Sequence, residues 1–483
     1  MNNRQDLNRL LPGYHQLGVQ VQRHPSSGMA ANMASMVFDR AERHYARLEL
    51  DQAETLYLDL LRHNPEAPEI LFRLGRIAHQ RHNYKQAKIF YRKAIKGNDR
   101  LDYLHRNLGM TLCEQGLLKE AEKPLRQALK IASDNGSNHT TLGYLQRLKG
   151  DMAAAEASYR KAVEVAPDNA DCHKELGYFL LFKGDYREGW ALHEYRWRGQ
   201  RLTSAVFQGG KPLWDGVAMA GEVLLIHAEQ GLGDTIQFLR YVPLAVAQSK
   251  ASKVILRIQA GLLSLLPDLG GQVEIQSAEE GLVDFDRHCP LEALPHRVYA
   301  DGPLRDFPKL CPDPSQALAL QPGPLKIGLA WAGNPIQPND HRRSTTLAKL
   351  MPGLQALHKR FGNIELISFQ RDINEKDRAL MAKCAFMRDC GYLDMAAIAA
   401  TMPGLDLMIT VDTAMGHLAG ALDVPTWLLL SNVPDFRWGP TGDQTSWYPS
   451  LRLIRQEKDG DWAGVARRIG ALEVEKRADA TGV

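Results

Sequence analysis

A period of 34 residues constrains this chain more than any other feature. Ala53, Ala87, Ala121 and Ala155 recur at that spacing. Tyr57, Tyr91, Leu125 and Tyr159 keep the same register, and Leu60, Ala94, Ala128 and Ala162 follow them. Leu74-Gly75, Leu108-Gly109 and Leu142-Gly143 mark an earlier helix in each unit, with Leu176-Gly177 in phase for a further one. Small residues at fixed places inside helix-period apolar patterns require paired helices that touch closely. No single pair can bury its apolar face, so the units are expected to stack into a right-handed solenoid with a concave face.

This pattern resembles the tetratricopeptide repeat. It predicts a solenoid of about five repeats over 34–200, after a polar extension (1–33) that is partly disordered or caps the first repeat. The fifth unit departs from the pattern, because Gly189 stands where the others have alanine. Trp190, Tyr195 and Trp197 are expected to form one aromatic cluster that packs the solenoid's end. A turn-rich linker, Gln208–Gly216, follows.

From Glu222 the pattern alternates strand and helix, so the fold class is multidomain α plus α/β: a helical solenoid followed by two Rossmann-like domains. The first is placed at 201–310. Its strands are expected at Val223–His227, Lys253–Ile258, Val273–Ile275 and Val283–His288, with helices near Thr235–Gln248 and Gly261–Leu266. A proline-rich connector leads to the second, placed at 311–483. Here strands are read at Lys326–Ala330, Ile364–Phe369, Leu407–Val411 and Thr426–Leu430, with another near Ala385–Met387. Helices are read at Leu350–Arg360, Asp394–Ala400 and Ala414–Leu422. A last helix, from Asp461 to about Leu472, is expected to cross back to the first α/β domain, and the polar C-terminal residues to fray.

Composition narrows the function. A formal net charge of +3 is too small to argue for a nucleic-acid partner. The 6 cysteines are scattered without a C-x-x-C pair, against a zinc site or a disulfide framework and in favour of a reducing compartment. No apolar run is long enough to span a bilayer and no apolar leader is visible, so a cytoplasmic location without membrane insertion is expected.

Two turns carry candidate chemistry. In the first, strand Val223–Ile226 runs into Gly231 and Gly233, and Asp234 stands where a helix begins. Asp234 is either the helix cap or a carboxylate aimed into a cleft, where it can take a proton from an attacking hydroxyl. Glu229 and His227 are alternatives on the same turn. In the second, Asp412 and Thr413 join a buried strand to a helix whose free N–H groups and dipole favour a diphosphate. Gly416 and Ala414 would let a ligand approach the backbone. His417 is placed to donate to a phosphate oxygen; the alternative is that Asp412 caps the helix and His417 packs between domains. In the loop Trp331–Ser344, Arg342, Arg343 and Ser344 are placed to neutralise a leaving group. Gln370, ending a strand, reads equally as a contact to base or ribose and as a turn residue. Arg437 and Trp438 read as structural.

These phrases, His227–Phe238, Trp331–Pro335, Asn339–Ser344, Val411–Leu422 and Trp447–Pro449, resemble those of bacterial proteins in which tetratricopeptide repeats precede a domain of the heptosyltransferase family. The resemblance implies a GT-B arrangement and an inverting single displacement with Asp234 as general base. It implies a nucleotide-sugar donor held by Asp412, Thr413 and His417; Gly416, Arg343, Ser344, Asn334 and Gln370 are expected on the same donor side, and Gln230, Gly231 and Gly233 on the acceptor side. Ala414 departs mildly from the family's usual glycine. With no D-x-D motif and no His/Cys cluster, neither a catalytic metal nor a cofactor is expected. The solenoid favours a protein acceptor held in its groove, such as flagellin. A lipopolysaccharide or glycan acceptor and an inactive scaffold are the alternatives.

Overall fold

A computed structural model describes residues 28–198, 210–281, 283–337 and 339–474. Most of the N-terminal extension, the start of the expected linker and the expected frayed C-terminus lie outside the described residues. The chain forms two compact units: one of residues up to 176 with 195–198, the other of 177–194 with 210 onward.

The first unit is a run of paired helices. They are α1 Gly28–Ala46, α2 Leu50–His63, α3 Pro68–Gln80, α4 Tyr84–Gly97, α5 Asp102–Glu114, α6 Leu118–Ile131, α7 Gly136–Leu148 and α8 Met152–Val165, with the start of α9 Ala170–Lys183. The repeated glycines sit where partner helices touch. A Cβ on Gly75 would lie 2.5 Å from the Tyr91 ring, and one on Gly109 would lie 2.3 Å from Leu125 Cδ2. Ala53, Ala87, Ala121 and Ala155 are fully buried as well. The period also carries a polar device. The Nε2 atoms of His105, His139 and His173 lie 2.7–2.9 Å from the carbonyl oxygens of Asp99, Ser133 and Pro167. Each imidazole thereby ties a helix to the turn before it.

The second unit holds α10 Tyr186–His193 and two parallel sheets. The first sheet has strands β1 Val223–His227, β2 Lys253–Ile258, β3 Val273–Ser277 and β4 Arg287–Pro290 in the order β3-β2-β1-β4. Helices α11 Leu232–Phe238, α12 Val242–Ser249 and α13 Leu294–Val298 accompany it. The second sheet has β5 Leu325–Ala330, β6 Ile364–Ser368, β7 Met387–Asp389, β8 Leu407–Val411, β9 Thr426–Leu430 and β10 Leu451–Arg455, ordered β10-β9-β8-β5-β6-β7. Its helices are α14 Asp340–Arg343, α15 Leu347–Phe361, α16 Glu375–Met381, α17 Met395–Thr401, α18 Ala414–Ala421 and α19 Trp462–Ala471. Every residue of β8 and β9 is buried, as their unbroken apolar runs require.

Several expectations change. The helix after β1 breaks into α11, one 3₁₀ turn and α12, because Pro243 lacks the N–H that would continue it. The segment Gly261–Leu266 is a 3₁₀ turn, Ala260–Leu265, stopped before Pro267. β4 starts at Arg287, not Val283: the Asp286 carboxylate accepts from Val223 N–H at 2.8 Å, and Val283 and Phe285 pack on the sheet from the preceding loop. β7 likewise lies later than expected, and β10, α13, α14 and α16 are additions. The last helix does not cross back to the first sheet. α19 packs on α15, where a Cβ on Gly353 would meet the Ala466 carbonyl at 2.1 Å, and Trp462, Val465 and Ile469 join the second sheet's core. Nor do the three rings near the repeats' end form one cluster. Trp190 packs edge-on to Phe238 and Phe436, whereas Tyr195 stacks on His173 in the other unit.

Candidate active site

In each sheet the strand order reverses beside the first strand, between β1 and β4 and between β5 and β8. Crevices outside the carboxyl ends of strands at such points are where open α/β sheets gather ligands. The candidate motifs follow β1, β5 and β8, so the topology puts them at these two points.

After β1, Gly231 stands at the N-cap of α11, and Asp234 is the third residue of that helix. Asp234 Oδ2 accepts from Gly231 N–H at 3.0 Å, so the carboxylate does cap the helix. Its other oxygen, Oδ1, accepts from Arg437 Nη2 at 2.5 Å. Asp234 thus serves the helix with one oxygen and is paired with Arg437 through the other. Burial raises its pKa, with Arg437 opposing. Gln230 contributes its carbonyl, which accepts from Gln259 Nε2 at 2.9 Å. Of the alternatives, His227 is buried with its Nε2 3.1 Å from His288 Nδ1, and Glu229 lines a narrow crevice with Asp234, Thr235, Phe238 and Glu292.

After β8, Thr413 caps α18, its hydroxyl accepting from Met415 N–H at 3.3 Å. Asp412 is therefore not the cap. Burial and the neighbouring Asp435 raise its pKa to about 6, while the Trp438 indole, Arg343 and Arg437 oppose the rise. Gly416 corrects an expectation: its missing side chain makes room for Leu428 of β9, whose Cδ1 would lie 2.8 Å from a Cβ there, and not for a ligand. His417 is 5% exposed. Its Nδ1 lies 3.2 Å from the Tyr448 hydroxyl and its ring 5.4 Å from that of Trp438. Burial, reinforced by Arg437, Arg240 and Arg343, lowers its pKa well below the usual value and keeps it neutral.

The loop after β5 reaches this turn. Arg343 Nη1 donates to the Asp412 carbonyl at 3.1 Å, and its Nε donates to Asp340 Oδ1 at 3.2 Å. Ser344 donates to the same oxygen at 2.7 Å and accepts from Gly333 N–H at 2.8 Å. Asn334 is exposed and shapes the loop, accepting from Ile336 N–H at 3.0 Å. Gln370 is committed to the loop's base. Its Oε1 accepts from Trp331 and Ala332 N–H, and its Nε2 donates to the Ala332 and Arg371 carbonyls. No hydrogen-bonding group of that amide remains for a base or ribose, so Gln370 braces the loop.

The two motifs meet directly. A Cβ on Gly233 would lie 2.8 Å from His417 Cδ2 and 3.2 Å from Ala414 Cα, so α11 and α18 cross at their first turns. Arg437, read from sequence as structural, sits at this crossing. It lies in the 3₁₀ turn Phe436–Trp438 after β9 and is 8% exposed in its side chain. Nη2 donates to Asp234 and, at 3.0 Å, to Glu292 Oε1; Nη1 donates to Asp435 Oδ1 at 2.8 Å; Nε donates to Gln237 Oε1. Arg240, 1% exposed, bolts the same seam by donating to the Leu304 and Trp447 carbonyls at 2.8 and 2.9 Å. The sequence did not show the pairing of Arg437 with Asp234, Glu292 and Gln237, or the place of Arg240, because these partners are remote in the chain. Among the described residues no group of three or more His, Cys, Asp or Glu is placed to hold a metal ion, and no helix is long and apolar enough to cross a membrane.

Comparison with known proteins follows these landmarks. A family model described as glycosyltransferase family 9 (heptosyltransferase) matches residues 353–455, which include Asp412–His417 and Arg437 but not Asp234 or Arg343. Tetratricopeptide repeat models match residues 38–103 and 137–169. Protein FlbA of Caulobacter vibrioides is 26% identical over 308 residues, covering 58% of this chain and 51% of that protein. The chain thus spans about half the length of the curated relative it matches. Among solved structures, a thermophilic TPR protein from Thermus thermophilus is 22% identical, with 33% of this chain and 88% of that chain covered and a TM-score of 0.32. MamA from Desulfovibrio magneticus is 18% identical, with 35% and 94% covered and a TM-score of 0.28. The chain therefore joins tetratricopeptide repeats in its N-terminal region to a C-terminal α/β region similar to the family 9 glycosyltransferases.

Proposed function

We propose that this protein is a glycosyltransferase of GT-B type that moves a sugar from a nucleotide-sugar to an acceptor by an inverting mechanism without metal or other cofactor. One observation carries the reading: the Gly231–Asp234 and Asp412–His417 turns, from the carboxyl ends of two different sheets, abut through Gly233 and His417. Asp234 takes the acceptor hydroxyl's proton as the oxygen attacks the anomeric carbon. The nucleoside diphosphate leaves toward the N–H groups of α18 and Arg343, which offset the developing charge in place of a metal ion. Thr413 and neutral His417 are the polar side chains available there. The acceptor is a protein segment such as flagellin, held by the helical repeats, which suit extended chains better than small sugars.

A panel of nucleoside diphosphates and nucleotide-sugars tests donor binding, because a ligand of the folded state raises the melting temperature in proportion to RT ln(1 + [L]/Kd). Labelled donor mixed with lysate then tests the acceptor. Label in a polypeptide, lost in Asp234→Asn, supports the reading. Label in lipid or glycan redirects the acceptor, and no stabilisation by any member of the panel overturns the transferase assignment.

A further inference from the structure

We propose that Tyr448 and Arg240 are positioning residues: together they hold neutral His417 with its proton on Nε2, so that the imidazole is a hydrogen-bond donor where the two motif turns cross. The inference rests on the transferase reading and adds to it two residues that reach the nucleotide-sugar only through His417.

Tyr448 is buried and held by two neighbours. Its ring lies against α18 at Gly420, where a Cβ would fall 2.5 Å from Tyr448 Cγ. The Arg240 guanidinium lies over the ring, its Cζ 4.8 Å from the centroid. So placed, the Tyr448 hydroxyl lies 3.2 Å from His417 Nδ1, and the two rings meet edge-on. Burial pushes the Tyr448 pKa up to about 12, with Arg240 opposing, so the hydroxyl keeps its proton at neutral pH. Among the described residues His417 Nδ1 is the one acceptor within hydrogen-bonding distance of that proton; Arg240 carries donors only. Buried donors are rarely left without a partner. The hydroxyl therefore donates to Nδ1, and the single proton of the neutral imidazole is on Nε2. The reverse arrangement, with Nδ1–H donating to the tyrosine oxygen, leaves the phenol proton without an acceptor.

Arg240 favours the first arrangement. Its donors go to the carbonyls of Gln237, Leu304 and Trp447, and among the described residues no carboxylate pairs with it. Its charge, buried among the rings of Phe307, Trp447 and Tyr448, is thus not cancelled locally and makes the phenol the better donor. The other edge of His417 lies at the crossing. Cδ2, which is bonded to Nε2, is the ring atom that the bare Gly233 accommodates. Among the described residues Nε2 has no hydrogen-bond partner, and no carboxylate pairs with the ring. An Nε2–H there offers phosphate oxygens a donor, whereas the other tautomer offers a lone pair that repels them.

Nitrogen NMR of the full chain with isotope-labelled histidine reads the tautomer directly, His417 being assigned by its loss from the spectrum of His417→Gln. Wild type should show a protonated Nε2 and an unprotonated, hydrogen-bonded Nδ1. In Tyr448→Phe, which keeps the ring and its packing, the Nδ1 signal should move to that of an unbonded nitrogen and the second tautomer should appear. Arg240→Met should shift the same signal, and Tyr448→Phe decides the matter should Arg240→Met fold poorly. Calorimetric titration with ADP, UDP, GDP, CDP and inorganic pyrophosphate gives the consequence. Tyr448→Phe should bind the best probe about three- to tenfold more weakly, the worth of one hydrogen bond, and should add no loss in the His417→Gln background. The same loss in both backgrounds assigns Tyr448 to packing alone and overturns the inference. An Nδ1–H tautomer in wild type, or an Nδ1 signal unmoved in Tyr448→Phe, also overturns it; all three results spare the transferase reading. Binding of none of the probes to wild type overturns that reading, and the role of the Nε2 donor with it.

Discussion

The helical repeats and the α/β seam use one packing device at very different sequence separations. In the repeats a glycine of one helix receives a side chain of the next: Gly75 receives Tyr91 and Gly109 receives Leu125. At the seam Gly233 of α11 receives Ala414 and His417 of α18, a helix from the other sheet. The first arrangement repeats along the chain, so its period announces it. The second occurs once and joins distant segments, so no local pattern reveals it. The same difference separates their purposes. A contact multiplied along an array builds a surface, whereas one made at a crossing of helix N-termini gathers polar groups from several loops.

Substitutions at three glycines and one acid sharpen this contrast. The largest effect is expected at Gly353→Ala, where the new methyl meets the Ala466 carbonyl, an unyielding backbone atom. Overpacking there should cost about 3 kcal/mol, measured as a lowered denaturation midpoint with an unchanged denaturant slope. Gly233→Ala and Gly109→Ala should each cost about 1–2 kcal/mol, because side chains can give way in part. Their consequences should differ: Gly233→Ala separates α11 from α18 and weakens nucleoside-diphosphate binding, whereas Gly109→Ala lowers stability and leaves that binding intact. Equal loss of binding in both would erase the distinction between array and seam.

The smallest effect concerns Asp412 and depends on pH. Its folded-state pKa is raised to about 6 by burial and by Asp435, against the Trp438 indole, Arg343 and Arg437. A carboxyl whose pKa is raised on folding holds its proton more tightly in the native state. Its protonated form therefore favours folding at low pH. That advantage is lost as pH rises from the ordinary aspartate value of about 4 through about 6. Asp412→Asn should match wild type below about pH 4 and exceed it by on the order of 1 kcal/mol above about pH 6. Parallel stability curves across that window would show that Asp412 is not held in a destabilising environment.

Much of the architecture was legible from residue spacing. The repeat period named the helical array, and unbroken apolar runs marked β8 and β9 at their observed limits. What failed locally failed for identifiable reasons. Pro243 broke a helix that its apolar periodicity continued, and the apolar Val283 and Phe285 mimicked a strand while packing from a loop. Gly416 looked like a backbone opened to a ligand until Leu428 was found filling the space. Gln370 read equally as a recognition residue and as a turn residue, and its four hydrogen bonds, all to the chain around the loop after β5, decide for the second.

By itself the sequence determined the class of the protein: helix pairs that must stack, then strand–turn–helix units that must form parallel sheets, with acidic and glycine-bearing turns at strand ends. Periodicity and turn chemistry are properties of neighbouring residues, and a linear text records them. Only the tertiary structure decided which turns meet and which charge lies between them. The partners of Arg437 come from the ends of β1 and β4 and from its own turn, and its pairing depends on two sheets closing against each other. Ion pairing depends on distance in space, which chain order does not encode, and an arginine that reads as structural in sequence thus stands at the centre of the candidate site.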